Sequence, residues 1–292
     1  MSIIPQDTAL AVRNGFAGVK PVTSGGAHRL RRPHAGGPRR LLSETHVLTG
    51  RILRRWSRDQ ATVAESLLMP VALLVGLDIV LGDGIAQVTG DSALYGSVPL
   101  AAMVGAMTGA MVGGIGLVRE RADGLLARLW VLPVHRPAGL LARLLADAVR
   151  IVVLTAAIMC VGIALGFRFE QGPLAAVAWL FMPMLLGVAF SAAVITLALY
   201  TASTVMVELT EGIWALLMFF STGFVPLDQF PEWVQPIVRH QPVSCVIEAM
   251  RGLSLGGPVL VPVVQTLLWS AGIIAVCLVP MALGYRRASM RG

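Results

Sequence analysis

With 292 residues, 56% of them hydrophobic and 13% charged, and a mean hydropathy of +0.76, the chain is too apolar for a soluble domain of its size and reads as an integral membrane protein. Its formal charge of +7 is gathered in arginine clusters between apolar runs, which bears on membrane orientation and implies no nucleic-acid partner. Cys160, Cys245 and Cys277 have no CxxC spacing and the five histidines are scattered, so neither a disulfide framework nor a metal site is expected.

Residues 1–42, rich in Gly, Pro, Arg and His, read as a disordered basic cytoplasmic tail, and no apolar run follows Met1 to make a signal peptide. From Ser43 the pattern becomes helical. Leu48, Ile52 and Trp56 recur at i, i+4, i+8, with Arg51, Arg54, Arg55 and Arg58 on the opposing side. Such a helix can lie in the headgroup layer with its arginines on anionic lipid; a plain basic stop before the first span is the other reading.

A hydrocarbon core about 30 Å thick needs roughly 20 apolar helical residues. Six runs qualify, at about 62–81, 98–118, 151–167, 173–200, 205–224 and 259–285. The first carries Glu65 and Asp78 near its ends. In the second, Gly105, Gly109 and Gly113 clear one face, a pattern that favours close helix packing over a pore wall. The fourth contains Pro183, a kink position. The fifth holds Glu208 and Glu211 on one face, and intramembrane acids are functional candidates. Two readings stay open for that pair: a functional role, or snorkelling and pairing with Arg143 or Arg150.

Between the second and third runs lies RERADGLLARLWVLPVHRPAGLLARLLA, residues 119–146, a polar, arginine-bearing island. Leu125, Leu126, Leu129 and Trp130 follow Arg119, Glu120 and Arg121 at helical spacing, so the island reads as a short amphipathic helix that docks something soluble. Of 23 Lys and Arg residues, 11 precede the first run, 6 lie between Arg119 and Arg150, and 3 follow the last run. The positive-inside rule therefore places both termini and the island in the cytoplasm of a multi-pass plasma-membrane protein. On the outer side, PLDQFPEWVQPIVRHQPVSCVIEAMRG sets Pro231 at a helix start and Trp233 at an interface position. A second short helix is expected from Val243 to Arg251 with Gly252 as its stop. The pair, with Pro242 between its members, reads as re-entrant or interfacial.

From about residue 43 onward the chain resembles the type 2 ABC transporter permeases. The resemblance is carried by RERADGLLARLWVLPVHRPAGLLAR (119–143) and FSTGFVPLDQFPEWVQPIVRHQPVSCVIEAMRG (220–252). Within that family, LARLWVLPVHR, GFRFEQG, HQPVS and the terminal GYRRAS look most like permease subunits of daunorubicin-resistance-type exporters of mycobacteria. The resemblance implies an all-α membrane protein: an N-terminal interfacial helix, six transmembrane helices in one domain (43–292), a cytoplasmic coupling helix and short re-entrant outer helices before the last span.

The same resemblance implies export of an apolar cell-envelope lipid, of the phthiocerol dimycocerosate or glycopeptidolipid kind, or of an amphipathic drug. Coupling to an ATPase would fall on Arg119, Glu120, Arg121, Gly124, Leu125 and Leu126. The re-entrant helices would be marked by Pro231, Trp233, Pro242 and Arg251. A phosphate-binding P-loop needs GxxxxGK[ST], yet the sole lysine is Lys20, in GVKPVT. ATP and Mg are therefore expected on a separate ABC ATPase, in two copies, and not on this chain. Six spans further imply a second permease, a related non-identical subunit or else an identical copy, surrounded by membrane lipids.

No catalytic residue is expected, because no Ser/His pair or acid cluster shares one depth. A proton-coupled secondary transporter relaying through Glu65, Asp78, Glu208 or Glu211 is the rival reading. Glu120 and Arg121 are expected to be exposed charges, whose loss would cost within about 0.5 kcal/mol of stability.

Overall fold

The computed structural model describes residues 38–89, 92–123, 137–201 and 203–290, and they are helical without a strand. This is the backbone solution that lipid demands, since a helix satisfies its own N–H and C=O groups. The helices are α1 (Pro38–Arg58), α2 (Gln60–Thr89), α3 (Leu94–Ala122), α4 (Ala138–Leu165), α5 (Gly172–Tyr200), α6 (Ser203–Phe219), α7 (Gln235–His240), α8 (Pro242–Leu255) and α9 (Leu260–Met290). Five of them, α2, α3, α4, α5 and α9, are long and apolar enough to cross a membrane.

α1 is amphipathic as expected but begins at Pro38, so residues 38–42 leave the expected tail; residues 1–37 lie outside the described residues. Thr45 and Thr49 are buried on its inner face, and the Thr49 hydroxyl reaches Ala142 O of α4 at 3.3 Å. Arg51, Arg54, Arg55 and Arg58 are exposed. The chain turns at Asp59, whose carboxylate accepts from the Thr62 hydroxyl (2.8 Å) and the Thr62 N–H (3.2 Å), capping α2. These bonds hold the Asp59 carboxyl below its ordinary value of 3.8. A depressed carboxylate supports the folded state above its unfolded pKa and withdraws that support as pH falls through the folded one. Amide exchange at Thr62, whose N–H the carboxylate accepts, should therefore be protected at neutral pH, and this protection should fall under acid. Asp59→Ala should show the unprotected rate at every pH; equal rates in the two proteins would remove the cap from the account.

α3 is the most enclosed of the five spanning helices and packs on α2, α4, α5 and α8. The glycine seam is a packing face. A Cβ at Gly105 would stand 2.7 Å from Ile158 Cδ1, one at Gly109 3.3 Å from Leu154 Cδ1, and one at Gly113 2.4 Å from Asp147 Oδ1. All three partners lie on α4.

α4 departs most from the expectation. The sequence predicts a polar island over 119–146 and a third span starting only at Ile151, but α4 runs unbroken from Ala138. Arg143, Asp147 and Arg150 are buried inside it because each charge has a partner within the bundle. It ends at Gly166, whose φ of 114° is the left-handed conformation a helix C-cap requires. Phe167 then turns inward and meets Tyr95, Phe169 and Trp179 at ring-centroid distances of 5.1 to 5.9 Å.

α5 carries Pro183 internally, as expected. α6 is shorter than the expected fifth span, 205–224. At 17 residues it extends only about 26 Å, below the hydrocarbon thickness, and the chain leaves it in turns from Phe220. Glu208 and Glu211 are exposed on it.

The outer pair also differs from its expected bounds. Pro231 starts a turn, its carbonyl accepting from Val234 (2.9 Å) and Gln235 (3.2 Å), and α7 begins only at Gln235. α8 passes through Gly252 to Leu255 and stops at Gly256, φ 97°. Almost every residue of α8 from Pro242 to Met250 is buried against α3, α5 and α9, so this short helix is wedged among the spanning ones.

Candidate functional site

The chemistry of this chain concentrates where α3 ends. Arg119, Glu120 and Arg121 form the last turn of α3, so they cap the second span and do not belong to a separate helix. Gly124, Leu125 and Leu126, with the rest of the expected coupling helix, lie outside the described residues.

Glu120 corrects the expectation of an exposed charge: it is 7% exposed. One carboxylate oxygen pairs with the buried Arg143 of α4, and the other faces Arg51 (3.7 Å) and Arg55 (3.8 Å) of α1. One carboxylate thus joins α1, α3 and α4. Arg143 contributes most, because both members of that pair are desolvated; Arg51 and Arg55 are half or more exposed and water screens them. Arg121, though exposed, donates to Ala198 O (3.2 Å) and Leu199 O (3.1 Å), satisfying carbonyls at the C-terminus of α5 and favouring its dipole. Arg119 is exposed and makes no ion pair or side-chain hydrogen bond among the described residues.

A second polar layer lies deeper. Arg150 Nη1 donates to Asp147 Oδ1 (2.7 Å) and to Gly109 O of α3 (2.8 Å), and its guanidinium lies 5.4 Å from the centre of the Trp56 ring of α1. Asp147 fits only because Gly113 has no side chain. At the same end Tyr285 of α9 packs on Gly139 of α4, and Tyr200 donates to Pro280 O at 2.8 Å.

Sequence reasoning named Glu120 and Arg121 but not Arg51, Arg55 and Arg143 as the partners of Glu120, nor the separate Asp147–Arg150 pair. Asp147 and Arg150 carried a usable signal, opposite charges at i, i+3 beside an apolar run. Glu208 and Glu211 do not meet Arg143 or Arg150, whose partners are Glu120 and Asp147. Pro242 and Arg251 lie at the other end of the bundle, with Pro242 in the first turn of α8 and Arg251 paired to Glu248 at 3.2 Å; Trp233 is 77% exposed. Gln241 donates to Phe220 O and to Ser244 Oγ (3.0 Å), which accepts from Thr222 N (3.2 Å). The HQPVS motif thus stitches α8 to the turn after α6.

A bundle of apolar spans with an N-terminal amphipathic helix clamped to the end of its second span defines a multi-pass membrane permease. The chain belongs to the ABC-2 type transporter family, whose model matches residues 43–255. It is 52% identical over 251 residues to the probable doxorubicin resistance ABC transporter permease protein DrrC of Mycobacterium tuberculosis, covering 86% of this chain and 91% of that one. It is 28% identical over 242 residues to the daunorubicin resistance ABC transporter permease protein DrrB1 of Streptomyces coeruleorubidus, covering 82% and 85% respectively. The chain is accordingly a membrane-embedded permease of the drug-resistance exporter type, without an ATPase of its own and partnered by an ABC ATPase subunit. A proton-coupled transporter is not favoured.

Proposed function

We propose that this permease exports an amphipathic or strongly apolar compound, a cell-envelope lipid of the phthiocerol dimycocerosate or glycopeptidolipid kind or an amphipathic drug, across the plasma membrane. The drug-resistance names of its relatives support the drug end of that range. The Glu120 junction carries the reading of mechanism: the segment leaving α3 is tied through one buried carboxylate to α1 and α4, so a push on it reaches three helices at once. Two ATPase copies, holding ATP and Mg, would press on residues 119–129 as they close and bias the bundle between two states. Both termini lie in the cytoplasm in this reading, in agreement with the arginine distribution.

A second permease, related but not identical, is the expected neighbour. The acid pair on α6 supports a neighbour of either kind, since Glu208 and Glu211 are exposed with no ion pair among the described residues and lipid is a poor solvent for them; the resemblance to daunorubicin-resistance permeases favours the non-identical subunit over a second copy of this chain.

Arg119 is the residue that separates coupling from folding, because it is exposed where Glu120 is buried. Arg119→Ala should insert normally. It should weaken ATPase association by about 1.5 to 3 kcal/mol if the guanidinium makes a charge-assisted bond there. Copurification and ATP-driven accumulation of a fluorescent anthracycline in inverted vesicles measure both consequences; wild-type values in both would remove Arg119 from the interface. For topology, a cysteine at Ser43 should react with an impermeant maleimide only from the cytoplasm and one at Gln229 only from outside. Reaction of position 229 from inside would reverse the orientation.

A further inference from the structure

At the end of the bundle opposite Glu120, an open cavity of about 850 Å³ lies between the turn after α6, α7, α8 and the start of α9. Its volume is in the range that holds a small ligand or a lipid headgroup. Pro226, Pro258, Val261 and Pro262 form an apolar wall, and the prolines fix the backbone there. The polar wall has a particular charge inventory. Glu248 and Arg251 neutralise each other at 3.2 Å. Asp228, on the 3-10 turn Leu227–Gln229, and Arg239, on α7, are both exposed and have no ion pair among the described residues. Asp228 has only a 3.5 Å contact from the neighbouring Gln229 amide. Among the described residues the cavity wall therefore offers one carboxylate and one guanidinium without an ion pair, Asp228 and Arg239, while the His240 imidazole is hydrogen-bonded to Pro236 O. Beside it, α9 presents Leu260, Val261, Val264 and Leu268 as exposed apolar residues.

We propose that this cavity binds the zwitterionic headgroup of an amphiphile, its cationic group at Asp228 and its anionic group at Arg239, with the apolar chain along the outward face of α9. A singly charged head would leave one of the two residues without a counter-charge. A neutral head would engage neither as an ion. Free zwitterions share the head chemistry but cannot use the apolar wall, so an amphiphile is the better match to both surfaces. The proposal deepens the export reading and rests on it only for the amphiphile's route to this end. Binding itself requires neither ATP nor the ATPase.

The test uses the full chain in nanodiscs and four photoreactive amphiphiles with one common tail and the heads phosphoethanolamine, phosphate, trimethylammonium and glucoside. Labelling of residues 225–265 should favour phosphoethanolamine about tenfold over the glucoside, the size expected of two partly screened ion contacts, and about threefold over either singly charged head, which forgoes one. Asp228→Asn should shift the preference to the phosphate head and Arg239→Gln to the trimethylammonium head. Val261→Trp, at an exposed position on the wall, should abolish labelling with all four. Uniform labelling by the four heads, a preference of the native chain for any other head, or unchanged preference in the two charge variants overturns the proposal. Complete competition by soluble phosphoethanolamine at equal concentration overturns its amphiphile part. Because export is read separately in vesicles, loss of export with intact labelling speaks against the transport reading alone, and intact export without selective labelling against this site alone.

Discussion

Glu120→Ala should cost about 3 to 5 kcal/mol of folding stability, the loss seen when one partner of a buried ion pair is removed and the other charge is stranded. Arg143 is the stranded charge: it is 9% exposed and its partner is Glu120. Arg51→Ala and Arg55→Ala should each cost less than about 1 kcal/mol, because both side chains are largely in solvent. Folded yield after mild detergent extraction and the midpoint of thermal unfolding measure all three. The double variant Glu120→Ala, Arg143→Met should recover most of the loss, since it removes both charges and leaves an apolar contact. A Glu120→Ala protein as stable as Arg51→Ala would show that the carboxylate is not the centre of the junction.

This result also sets what substitution at the end of α3 can report about transport. A Glu120 variant mixes unfolding with uncoupling, whereas Arg119 does not, and that distinction comes entirely from burial. Membrane spans and the N-terminal amphipathic helix were legible in the sequence because a run of apolar residues or a 3.6-residue stripe is a local property. The glycine seam was legible for the same reason: Gly105, Gly109 and Gly113 declare a close contact before its partner is known. The partner was the unreadable part. Counting arginines along the chain places Arg143 and Arg150 on the cytoplasmic side, yet pairing with Glu120 of α3 and with Asp147 of the same helix lets α4 carry them inward. The bounds of α8 were misjudged by a similar local argument, since Gly252 is a plausible stop by type. In the fold it lies in mid-helix against Val259, and Gly256 holds the positive φ.

The deeper pair gives a sharper expectation, because there a missing side chain and a charge explain each other. Asp147 and Arg150 are each 2% exposed, and Asp147 Oδ2 and Arg150 Nε have no hydrogen-bond partner among the described residues. Removing the arginine alone, as Arg150→Ala, should therefore be severe, about 3 to 5 kcal/mol, with the Asp147 carboxyl group left unpaired in an apolar bundle. Replacing both, as Asp147→Ala, Arg150→Met, should be much milder. Gly113→Ala then tests whether the seam exists to seat the carboxylate. In the native background the new methyl would stand 2.4 Å from Asp147 Oδ1, so the pair or the helices must shift, at about 1 to 3 kcal/mol. In the Asp147→Ala, Arg150→Met background those oxygens are gone. The same Gly113→Ala change should cost less than about 0.5 kcal/mol there, a coupling of the size seen between residues in contact. Thermal unfolding midpoints of the four proteins close the cycle. Equal cost of Gly113→Ala in both backgrounds would mean that the glycine is required by α4 backbone or other neighbours and not by the buried carboxylate.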